Sequence, residues 1–424
     1  MAGQVAHVGA RHTLLFLEPG HFHAALTLRV PQARAADEIV VYAREGREFH
    51  DFLTLVDRFN GRAERPTRWR PTVVVTDDPL ERLLDERRGD VVVLAGRNRG
   101  KARAMRSLHD AGFHVLADKP WLVEPEDLDA VRASLAAPPV AAEIMTGRLD
   151  VAAGVMRRLV ATPVLFGTFV EEAPGLDQES VHHLEKLVDG APLRRPWWYF
   201  DVRVQGSGPV DVPTHLVDQA QWMSGDDGAL LTLLSADAWS TAVPVEAFRR
   251  VTGEHSFPEA LAPFVDGDTL DYRCNAEVTY RVGRITAHAR TEWALSAAPG
   301  GGDSTRHVAH GTRADVRLEQ SGRTGHRRRV FVEPRGDAAG IERTLCDLLA
   351  TWQAELPGAE VVRAGADGFE VRLPPALDGG HETHFARVLD ELLTAIDEGR
   401  WPADVAERTL AKYTLLAEAA ARTR

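Results

Sequence analysis

The sequence predicts an α/β domain built on a doubly wound parallel sheet, followed by an α+β domain with a large, mostly antiparallel sheet. Over the first third of the chain, short runs that are continuously apolar alternate with segments of helical periodicity. Later runs instead alternate polar and apolar residues, and long helical segments follow them. Continuous apolar runs are typical of strands that helices cover on both faces, whereas alternation is typical of a sheet with one solvated face.

The first domain is expected to span residues 1–150 and to alternate strands with helices. Its strands are predicted at the apolar runs 14–17, 39–42, 72–76, 90–94, 114–117 and 140–145. Helices are predicted between them at 21–29, 49–59, 79–87, 101–111 and 125–135. Repeated β-α units imply right-handed crossovers and a Rossmann-type sheet, which binds ligands at the carboxyl ends of its strands.

The second domain is expected to span residues 151–424. Its strands are predicted at 166–171, 271–282, 284–295, 314–318 and 329–332, and its long helices at 341–355, 384–398 and 404–423. Residues 226–264 have an irregular, proline-containing sequence, which predicts a long connection inserted over the site. The open sheet predicts a surface through which the chain forms a homodimer or homotetramer.

The composition excludes several classes of function. The 424 residues carry a formal net charge of −12, whereas nucleic-acid and anionic-membrane partners require a basic surface. The two cysteines, Cys274 and Cys346, are far apart and predict no disulfide framework. The start lacks the layout of a signal peptide, and no apolar run approaches the roughly 18 residues of a membrane span. We therefore expect a cytoplasmic protein without nucleic-acid or membrane partners.

The loop after the first strand lies where a dinucleotide-binding fold carries G-x-G-x-x-G/A. The segment Leu17-Glu-Pro-Gly-His-Phe-His-Ala-Ala retains only Gly20 and the small Ala24 of that pattern. A glycine there allows the backbone to approach a pyrophosphate, which then lies at a helix N-terminus. The alternative is a plain strand-to-helix turn. The candidate cofactor-binding residues of this loop are Pro19, Gly20, His21, Phe22 and His23.

Two further strand ends supply candidate cofactor contacts. After the second strand, Glu45 could bind the adenosine ribose, whereas Arg44 could favour a 2′-phosphate, so both NAD and NADP are open. After the fourth strand, Gly96 and Asn98 lie where the fold faces the nicotinamide. Asn98 could equally cap the helix that follows.

The fifth strand leads into Ala111-Gly-Phe-His-Val-Leu-Ala-Asp-Lys-Pro120, with Leu122 following. This segment resembles A-G-K-H-V-L-x-E-K-P-L of the glucose–fructose oxidoreductase/inositol dehydrogenase (Gfo/Idh/MocA) family, with Asp118 in place of the family's glutamate. A lysine that ends an apolar strand before a rigid proline is badly placed for a solvated surface residue. The resemblance implies that Asp118 and Lys119 contact the cofactor, that Lys119 is catalytic and that the Lys119–Pro120 bond is cis.

A second segment, Gly206-Ser-Gly-Pro-Val-Asp-Val-Pro-Thr-His-Leu-Val-Asp218, is similar to the family's G-G-G-x-x-x-D-x-G-x-H-x-x-D. Asp211, His215 and Asp218 fall in register, whereas Ser207 and Pro213 depart from the pattern. Asp211 and His215 are four residues apart, so we expect one helical face to present both. The alternative for the histidine is a buried ring with satisfied hydrogen bonds, and Asp218 is predicted to be structural.

Residues 179–186 and 193–201, between the two motifs, are expected to line the substrate side. Tryptophan faces stack well on sugar rings, and histidine or arginine contacts hydroxyls and anions. The alternative is a packed aromatic loop with a solvated basic flank. The candidate substrate-binding residues are His182, His183, Arg195, Trp197, Trp198, Asp211 and His215.

The sequence predicts no metal site. His381-Glu-Thr-His384 lacks the spacing of the H-E-x-x-H motif and precedes a helix, which favours a role at the helix N-terminus or simple exposure. His21 and His23 are interpreted as cofactor-loop residues rather than as ligands.

The resemblance implies an NAD(P)-dependent oxidoreductase that transfers a hydride between the nicotinamide and a sugar or sugar-like polyol. His215 would be the general base, Lys119 would stabilise the developing alkoxide, and Asp211 would orient the imidazole. Because Lys119 belongs to the first domain and His215 begins a helix of the second, both are expected to face the cleft between the domains.

Two other functions are open. Some family members are NAD-dependent glycosidases, which oxidise a ring hydroxyl transiently, eliminate the aglycone, add water and return the hydride. That reaction needs a further base, for which His183, His182 or a tyrosine is a candidate. Lys186, Arg194 and Arg195 could then bind an anionic glycoside such as a sulfoquinovoside. The third function is a dinucleotide-binding regulator without catalysis. The degraded glycine pattern motivates it, whereas the presence of both Lys119 and His215 argues against it.

Overall fold

The computed structural model describes residues 11–171, 174–188, 191–297, 301–366, 368–377 and 379–424, which divide into two compact units. The first unit contains the described residues up to Leu122 together with Glu126–Thr146 and Gly380–Ala406. The second contains Val123–Pro125, Gly147–Gly379 and Glu407–Arg424. This division differs from the expected split at residue 150 because a segment near the C-terminus returns to the first unit.

The described strands of the first unit form one sheet: β1 His12–Leu17, β2 Ala35–Ala43, β3 Arg70–Val75, β4 Val91–Leu94, β5 His114–Asp118 and β6 Ala141–Ile144. Their spatial order is β3-β2-β1-β4-β5-β6, and every neighbouring pair is parallel. The apolar residues of β1 and β4 are buried, as the continuous runs predict. The predicted doubly wound parallel sheet is confirmed, and its order reverses between β1 and β4, which defines a topological switch point.

Helices follow these strands at the predicted places: α1 His23–Leu26, α2 Arg47–Gly61, α3 Pro79–Glu86, α4 Lys101–Asp110 and α5 Leu128–Ser134. The ends of α3 have clear local causes. Asp78 accepts a hydrogen bond from the main-chain N–H of Glu81 at 3.1 Å, Pro79 opens the first turn, and Arg87 in the left-handed conformation ends the helix. The regular part of α1 is limited to four residues and is shorter than the predicted 21–29.

The described strands of the second unit are β7 Leu176–Glu185, β8 Leu187–Val188, β9 Ala191–Pro192, β10 Leu231–Pro244, β11 Val265–Asp266, β12 Thr269–Val282, β13 Ile285–Ser296, β14 Ser304–His310, β15 Ala314–Gln320, β16 Arg329–Pro334, β17 Glu360–Ala364 and β18 Gly368–Arg372. The large sheet has the order β10-β12-β13-β7-β14-β15-β16-β18-β17, with β11 beside β12. β7 runs parallel to β13, and the other pairs are antiparallel. The predicted mostly antiparallel sheet is therefore confirmed.

The remaining helices are α6 Val151–Val160, α7 Pro163–Phe166, α8 Val202–Gln205, α9 Pro213–Ser224, α10 Val245–Thr252, α11 Ala338–Trp352, α12 His384–Glu398 and α13 Ala403–Arg422. α11 to α13 confirm the three long helices predicted for this part of the chain. α12 belongs to the first unit, where Gln32 Nε2 donates to the carbonyl oxygen of Ala386 at 2.7 Å. Arg34 Nη1 also lies 3.3 Å from Asp390 Oδ1 of α12.

Two predictions for the second unit are wrong. Residues 166–171 are not a strand, because Pro163 begins α7 and only an isolated bridge at Phe169 follows. Residues 226–264 are not an irregular insertion, because they contain the long strand β10 and the helix α10. In addition, the sequence predicts no strand for β7, although this strand lies in the interior of the sheet.

An aromatic cluster forms part of the core of the second unit. It contains Trp198, Tyr199, Phe200, Phe248 and Tyr272, all buried. Among the described residues, no helix combines the length and the apolar character that a membrane crossing requires.

Candidate functional site

The carboxyl edge of the parallel sheet collects the candidate cofactor residues of the first unit. The loop after β1 is tied to neighbouring strand ends, because the N–H of Glu18 donates to Tyr42 O at 2.8 Å and the N–H of His21 donates to Ala95 O at 2.9 Å. β5 is hydrogen-bonded to β4, and Lys119 follows its last residue. The predicted residues Pro19 to His23, Gly96, Asn98, Asp118 and Lys119 therefore belong to loops or strand ends at one edge of the sheet, beside the switch point.

Close packing of two main-chain segments explains the glycine at position 96. A Cβ atom on Gly96 would collide with the carbonyl oxygen of Glu18 and would lie 3.2 Å from the nitrogen of Gly20. Glu18 itself has a φ of 45°, a left-handed conformation that residues other than glycine seldom adopt. The loop after β1 is thus held against the end of β4 in a conformation that the local sequence alone does not favour.

Two imidazoles of this loop converge on one buried carboxylate. His21 Nδ1 lies 3.1 Å and His23 Nδ1 lies 3.0 Å from Oδ2 of Asp118. The two rings meet edge to face, with their centroids 4.1 Å apart. We call this group the His21–His23–Asp118 cluster. The sequence places all three residues in the cofactor loop or the lysine motif, but it gives no indication that they are neighbours.

Burial and mutual contact set the charges of this cluster. Desolvation, with the positive field of His23, lowers the pKa of His21 to about 3. Burial alone would raise the pKa of Asp118, but the two imidazoles outweigh it and hold that pKa well below its ordinary range. At neutral pH the cluster therefore contains an ionised carboxylate and a neutral His21.

Lys101, a buried lysine that no sequence motif singles out, fixes the main chain around Lys119. Lys101, at the start of α4, donates from Nζ to Asn98 Oδ1 at 2.6 Å, to Asp118 O at 2.7 Å and to Pro120 O at 3.3 Å. The Lys119–Pro120 peptide bond is cis, as the family resemblance implies. Asn98 Oδ1 accepts from the ammonium of Lys101, and the residue at the N-cap of α4 is Gly100. The sequence feature that could have identified Lys101 is its position in the first turn of the helix after the β4 loop.

Arg44 and Glu45 are exposed beyond the end of β2. Arg44 donates to Glu18 Oε1 at 2.6 Å and to Asp77 O at 2.9 Å. Glu45 Oε1 lies 2.9 Å from His50 Nε2. Both side chains are therefore accessible to solvent and hydrogen-bonded at the surface, and their contact with a cofactor stays a prediction.

The motif of the second unit is not presented on a single helical face. Pro213 begins α9, so Asp211 precedes the helix, and its ψ of −93° is not helical. His215 lies in the first turn of α9. Asp211 is buried, and its carbonyl oxygen accepts a hydrogen bond from the Thr214 hydroxyl. The expectation of one shared helical face is therefore wrong, because the proline that departs from the family pattern fixes where the helix starts.

Asp211 is buried in the second unit, and its charge acts on ionisable side chains near it. Burial, with a smaller contribution from the charge of Asp211, raises the pKa of the Cys274 thiol to about 12. Burial likewise raises the pKa of Tyr199 and Tyr272 well above 10, and the same carboxylate adds to both shifts. Tyr272 donates its hydroxyl to the carbonyl oxygen of Tyr199 at 2.9 Å. The charge of Asp211 therefore acts on Tyr199, a residue of the 193–201 segment, and on Tyr272.

The aromatic and basic residues of that segment are packed rather than open. Arg195 is buried, with its guanidinium 4.5 Å from the ring of Tyr199 and 5.1 Å from that of Trp293, and it donates to the carbonyl oxygens of His183 and Leu184. Trp198 is fully buried in the aromatic cluster, and Trp197 packs against it. Trp198 thus has no exposed face for a sugar ring, and this part of the prediction is wrong because the ring fills the core.

A second carboxylate gathers the predicted histidines. Asp303 accepts from the main-chain N–H of His183 at 3.0 Å and lies 3.2 Å from its Nδ1 and 3.5 Å from Nδ1 of His182. Lys186 Nζ donates to the other side of the same group at 2.6 Å. Burial would raise the pKa of Asp303, but these partners hold it far below its ordinary range. Asp303 is a further residue that the sequence analysis overlooks, since it stands in a glycine-rich segment without periodicity.

Asp218 has the structural environment predicted for it. Arg148 binds its carboxylate with two nitrogens, Nε at 2.9 Å and Nη2 at 3.1 Å, and Lys412 Nζ lies 3.8 Å away. Arg148 also donates to Asp227 at 3.0 Å. These contacts join the loop before α6 with α9 and α13 inside the second unit.

The two units together define an oxidoreductase of the Gfo/Idh/MocA type. One unit carries the 3-2-1-4-5-6 parallel sheet with a Lys-Pro pair at its carboxyl edge, and the other is an α+β unit that holds the D-x-x-x-H-x-x-D residues. Residues 155–424 match the family model described as "Putative oxidoreductase C terminal domain". The chain therefore belongs to this family.

Solved structures share the fold along nearly the whole chain. A "putative oxidoreductase" from Parabacteroides merdae is 34% identical, with a TM-score of 0.93 and 98% of each chain covered. Levoglucosan dehydrogenase in complex with NADH and L-sorbose is 15% identical, with a TM-score of 0.62 and 98% of each chain covered. GenD2 from gentamicin A biosynthesis, in complex with NAD, is 14% identical, with a TM-score of 0.59 and 100% and 97% covered. The last two share the fold alone, and no curated protein matches the chain by sequence.

Proposed function

We propose that the protein is an NAD(P)-dependent oxidoreductase that transfers a hydride between the nicotinamide and a sugar or sugar-like polyol. The observation that carries this proposal is the carboxyl edge of the first unit, where Gly20, Gly96 and Lys119 follow β1, β4 and β5 beside the switch point. Ligands of open parallel sheets bind at such a point. The NAD(H) complexes of GenD2 and levoglucosan dehydrogenase, and the sugars bound by the latter, support the same class of cofactor and substrate.

The residues at this edge fit a dinucleotide. Gly96 allows the loop after β4 to pack main chain against main chain with the loop after β1, and Gly20 lies in that second loop beside the switch point. The bound nicotinamide would supply the hydride acceptor. Arg44 at the end of β2 favours a 2′-phosphate, whereas Glu45 favours a ribose hydroxyl, and we propose NAD as the cofactor because both relatives with bound cofactor carry NAD or NADH.

The catalytic roles follow from the chemistry of alcohol oxidation. His215 would accept the hydroxyl proton, because an imidazole is the side chain that titrates near neutral pH. Lys119 would stabilise the alkoxide that develops as the hydride leaves. Asp211, buried before α9, would hydrogen-bond the imidazole or the substrate.

The experiment has two stages. Binding of NAD and NADP to the purified chain is measured first, by fluorescence or calorimetry, and a panel of sugars and polyols is then assayed for NADH formation. Lys119→Ala and His215→Ala are each expected to reduce kcat by about 10²–10⁴-fold, the usual contribution of a proton-transfer group. The matched control is His288→Gln, a histidine paired with Asp177 and Glu277 on the sheet. Full turnover in the Lys119→Ala variant would refute the catalytic assignment and favour a dinucleotide-binding regulator.

One observation favours a second candidate, an NAD-dependent glycosidase. That reaction needs an additional base, and Asp303 orients His183 beside His182 in the second unit. Release of an aglycone from aryl glycosides without accumulation of NADH would support it, and stoichiometric NADH would contradict it. Of the three cations considered for an anionic glycoside such as a sulfoquinovoside, Arg194 is the one that we propose to bind the anion, because it is exposed. Lys186 pairs with Asp303, and Arg195 is buried and donates to carbonyl oxygens.

A further inference from the structure

We propose that the His21–His23–Asp118 cluster binds one divalent transition-metal ion of the zinc class. The three residues offer two imidazole nitrogens and a carboxylate oxygen, and these atoms all lie within 4.8 Å of one another. This inference does not rest on the proposed function, since it concerns three side chains of the first unit and an ion alone.

The spacing of the donor atoms fits one ion. Each Nδ1 lies 3.0–3.1 Å from the shared Oδ2 of Asp118. An ion about 2.1 Å from each of two ligand atoms separates those atoms by about 3.0–3.4 Å at octahedral to tetrahedral angles. Small rotations of the three side chains would therefore bring all three donors into the first coordination sphere.

The chemistry of the donor set selects the class of ion. Imidazole nitrogen with a single carboxylate suits zinc, iron, cobalt or nickel, whereas calcium and magnesium prefer sites made of oxygen. Two histidines and one carboxylate leave at least one position for water or another ligand. The site also has an opening, since the side chains of His21 and His23 are 15% and 13% exposed, while that of Asp118 is 5% exposed.

The carboxylate of Asp118 lies between the two imidazoles. Its Oδ2 is within 3.0–3.1 Å of both Nδ1 atoms. The ammonium of Lys101 donates to Asn98 Oδ1 and to the main-chain oxygens of Asp118 and Pro120, which fixes the main chain on either side of Lys119.

Other histidine–carboxylate groups in the described part of the chain lack this convergence. His12 and His288 each place their two ring nitrogens on two different carboxylates, so a single imidazole bridges two acids. In the Asp303 group, the ammonium of Lys186 already binds Oδ2. Within the described residues, the His21–His23–Asp118 cluster is the group of three potential ligands whose donor atoms all lie within 4.8 Å of one another.

The test measures metal binding without dinucleotide. The full-length chain is treated with a chelator, dialysed and titrated with Zn²⁺ by calorimetry, and with Co²⁺ by its visible absorption spectrum. We expect one ion per chain and a cobalt spectrum of nitrogen and oxygen ligation. His21→Ala and His23→Ala are expected to weaken Zn²⁺ binding by about 100-fold or more, and Asp118→Asn, which keeps an acceptor oxygen but removes the charge, by at least about 10-fold. The matched control His288→Gln is expected to bind like the wild type.

The outcomes separate this inference from the cofactor proposal. Wild-type protein that binds no more Zn²⁺ than a His21→Ala/His23→Ala double variant would overturn the metal site. Loss of dinucleotide binding in these variants, with no Zn²⁺ bound by the wild type, would also overturn it and would assign the cluster to the cofactor loop. Circular dichroism verifies that each variant is folded, and the cobalt spectrum of the wild type decides the question even where a variant does not fold.

Discussion

Removal of Arg148 tests whether Asp218, the last residue of the D-x-x-x-H-x-x-D pattern, stabilises the fold rather than the reaction. In the Arg148→Met variant, the buried carboxylate of Asp218 loses two hydrogen bonds, at 2.9 Å and 3.1 Å. Breaking a buried ion pair from one side typically costs about 3–5 kcal/mol, because the remaining charge is left uncompensated. Lys412 stays 3.8 Å from the carboxylate and offsets part of this cost, so we expect a loss of about 3 kcal/mol.

The assay is thermal unfolding followed by circular dichroism. A loss of about 3 kcal/mol corresponds to a fall in Tm of roughly 6–12 °C for a unit of this size. The double variant Arg148→Met/Asp218→Asn is expected to be more stable than Arg148→Met, because it removes the uncompensated charge as well. The low pKa of Asp218 adds a pH dependence: its stabilisation is complete above the ordinary carboxyl pKa of 3.8 and is lost as the pH falls through its depressed value.

A fall in Tm below about 2 °C, or equal losses in the single and double variants, would refute this reasoning. Turnover per folded molecule is expected to stay near that of the wild type at low temperature. A large loss of kcat in a well-folded Arg148→Met protein would instead place this ion pair in the catalytic machinery.

Three further predictions test other parts of the structure. Gly96→Ala is expected to lower the free energy of unfolding by about 1–3 kcal/mol, because the added Cβ would overlap the carbonyl oxygen of Glu18. The control Gly61→Ala has open space around its Cβ and is expected to leave stability unchanged. The Tm of each variant measures the difference. The carboxylates of Asp90 and Asp397 raise the pKa of His12 above 6.5. The stability that His12 contributes is therefore complete below pH 6.5 and is lost as the pH rises through its raised pKa. The Tm values of the wild type and of His12→Gln are expected to converge as the pH rises. A thiol reagent should modify exposed Cys346 rapidly in the native protein, but not Cys274, whose pKa is about 12.

The parallel sheet could be predicted because its signal is local. The central strands β1 and β4 are short apolar runs buried on both faces, and helical periodicity bounds each run. The edge strand β3 is partly exposed, but its run of valines still marks it as a strand. β10 carries a weaker signal, since register irregularities between Leu233 and Ser235 and between Trp239 and Thr241 interrupt its alternation. β7 escapes detection for another reason: polar Gln178 and Ser180 occupy its buried face, so the pattern of an apolar face is absent.

The residues of the candidate site also differ in whether their signal is local in the sequence. Lys119 and His215 stand in linear motifs, and a single sequence is sufficient to single them out. Asp118 meets His23 across 95 positions of sequence, and Asp303 meets His183 across 120, so these partnerships depend on tertiary folding. Whether Lys119 and His215 act on one substrate stays a prediction, as do the cytoplasmic location and the homodimeric or homotetrameric assembly.

The return of α12 to the first unit has a consequence for protein synthesis. The sheet of that unit is complete once Ile144 has left the ribosome, but the helix that contributes Asp390 and Asp397 is made roughly 250 residues later. At a translation rate of about 5–20 residues per second, α12 would be synthesised roughly 13–50 s after the last strand of the sheet. A gene fragment that stops at the end of the second motif would therefore encode a first unit without α12, and the surface that α12 covers would be exposed.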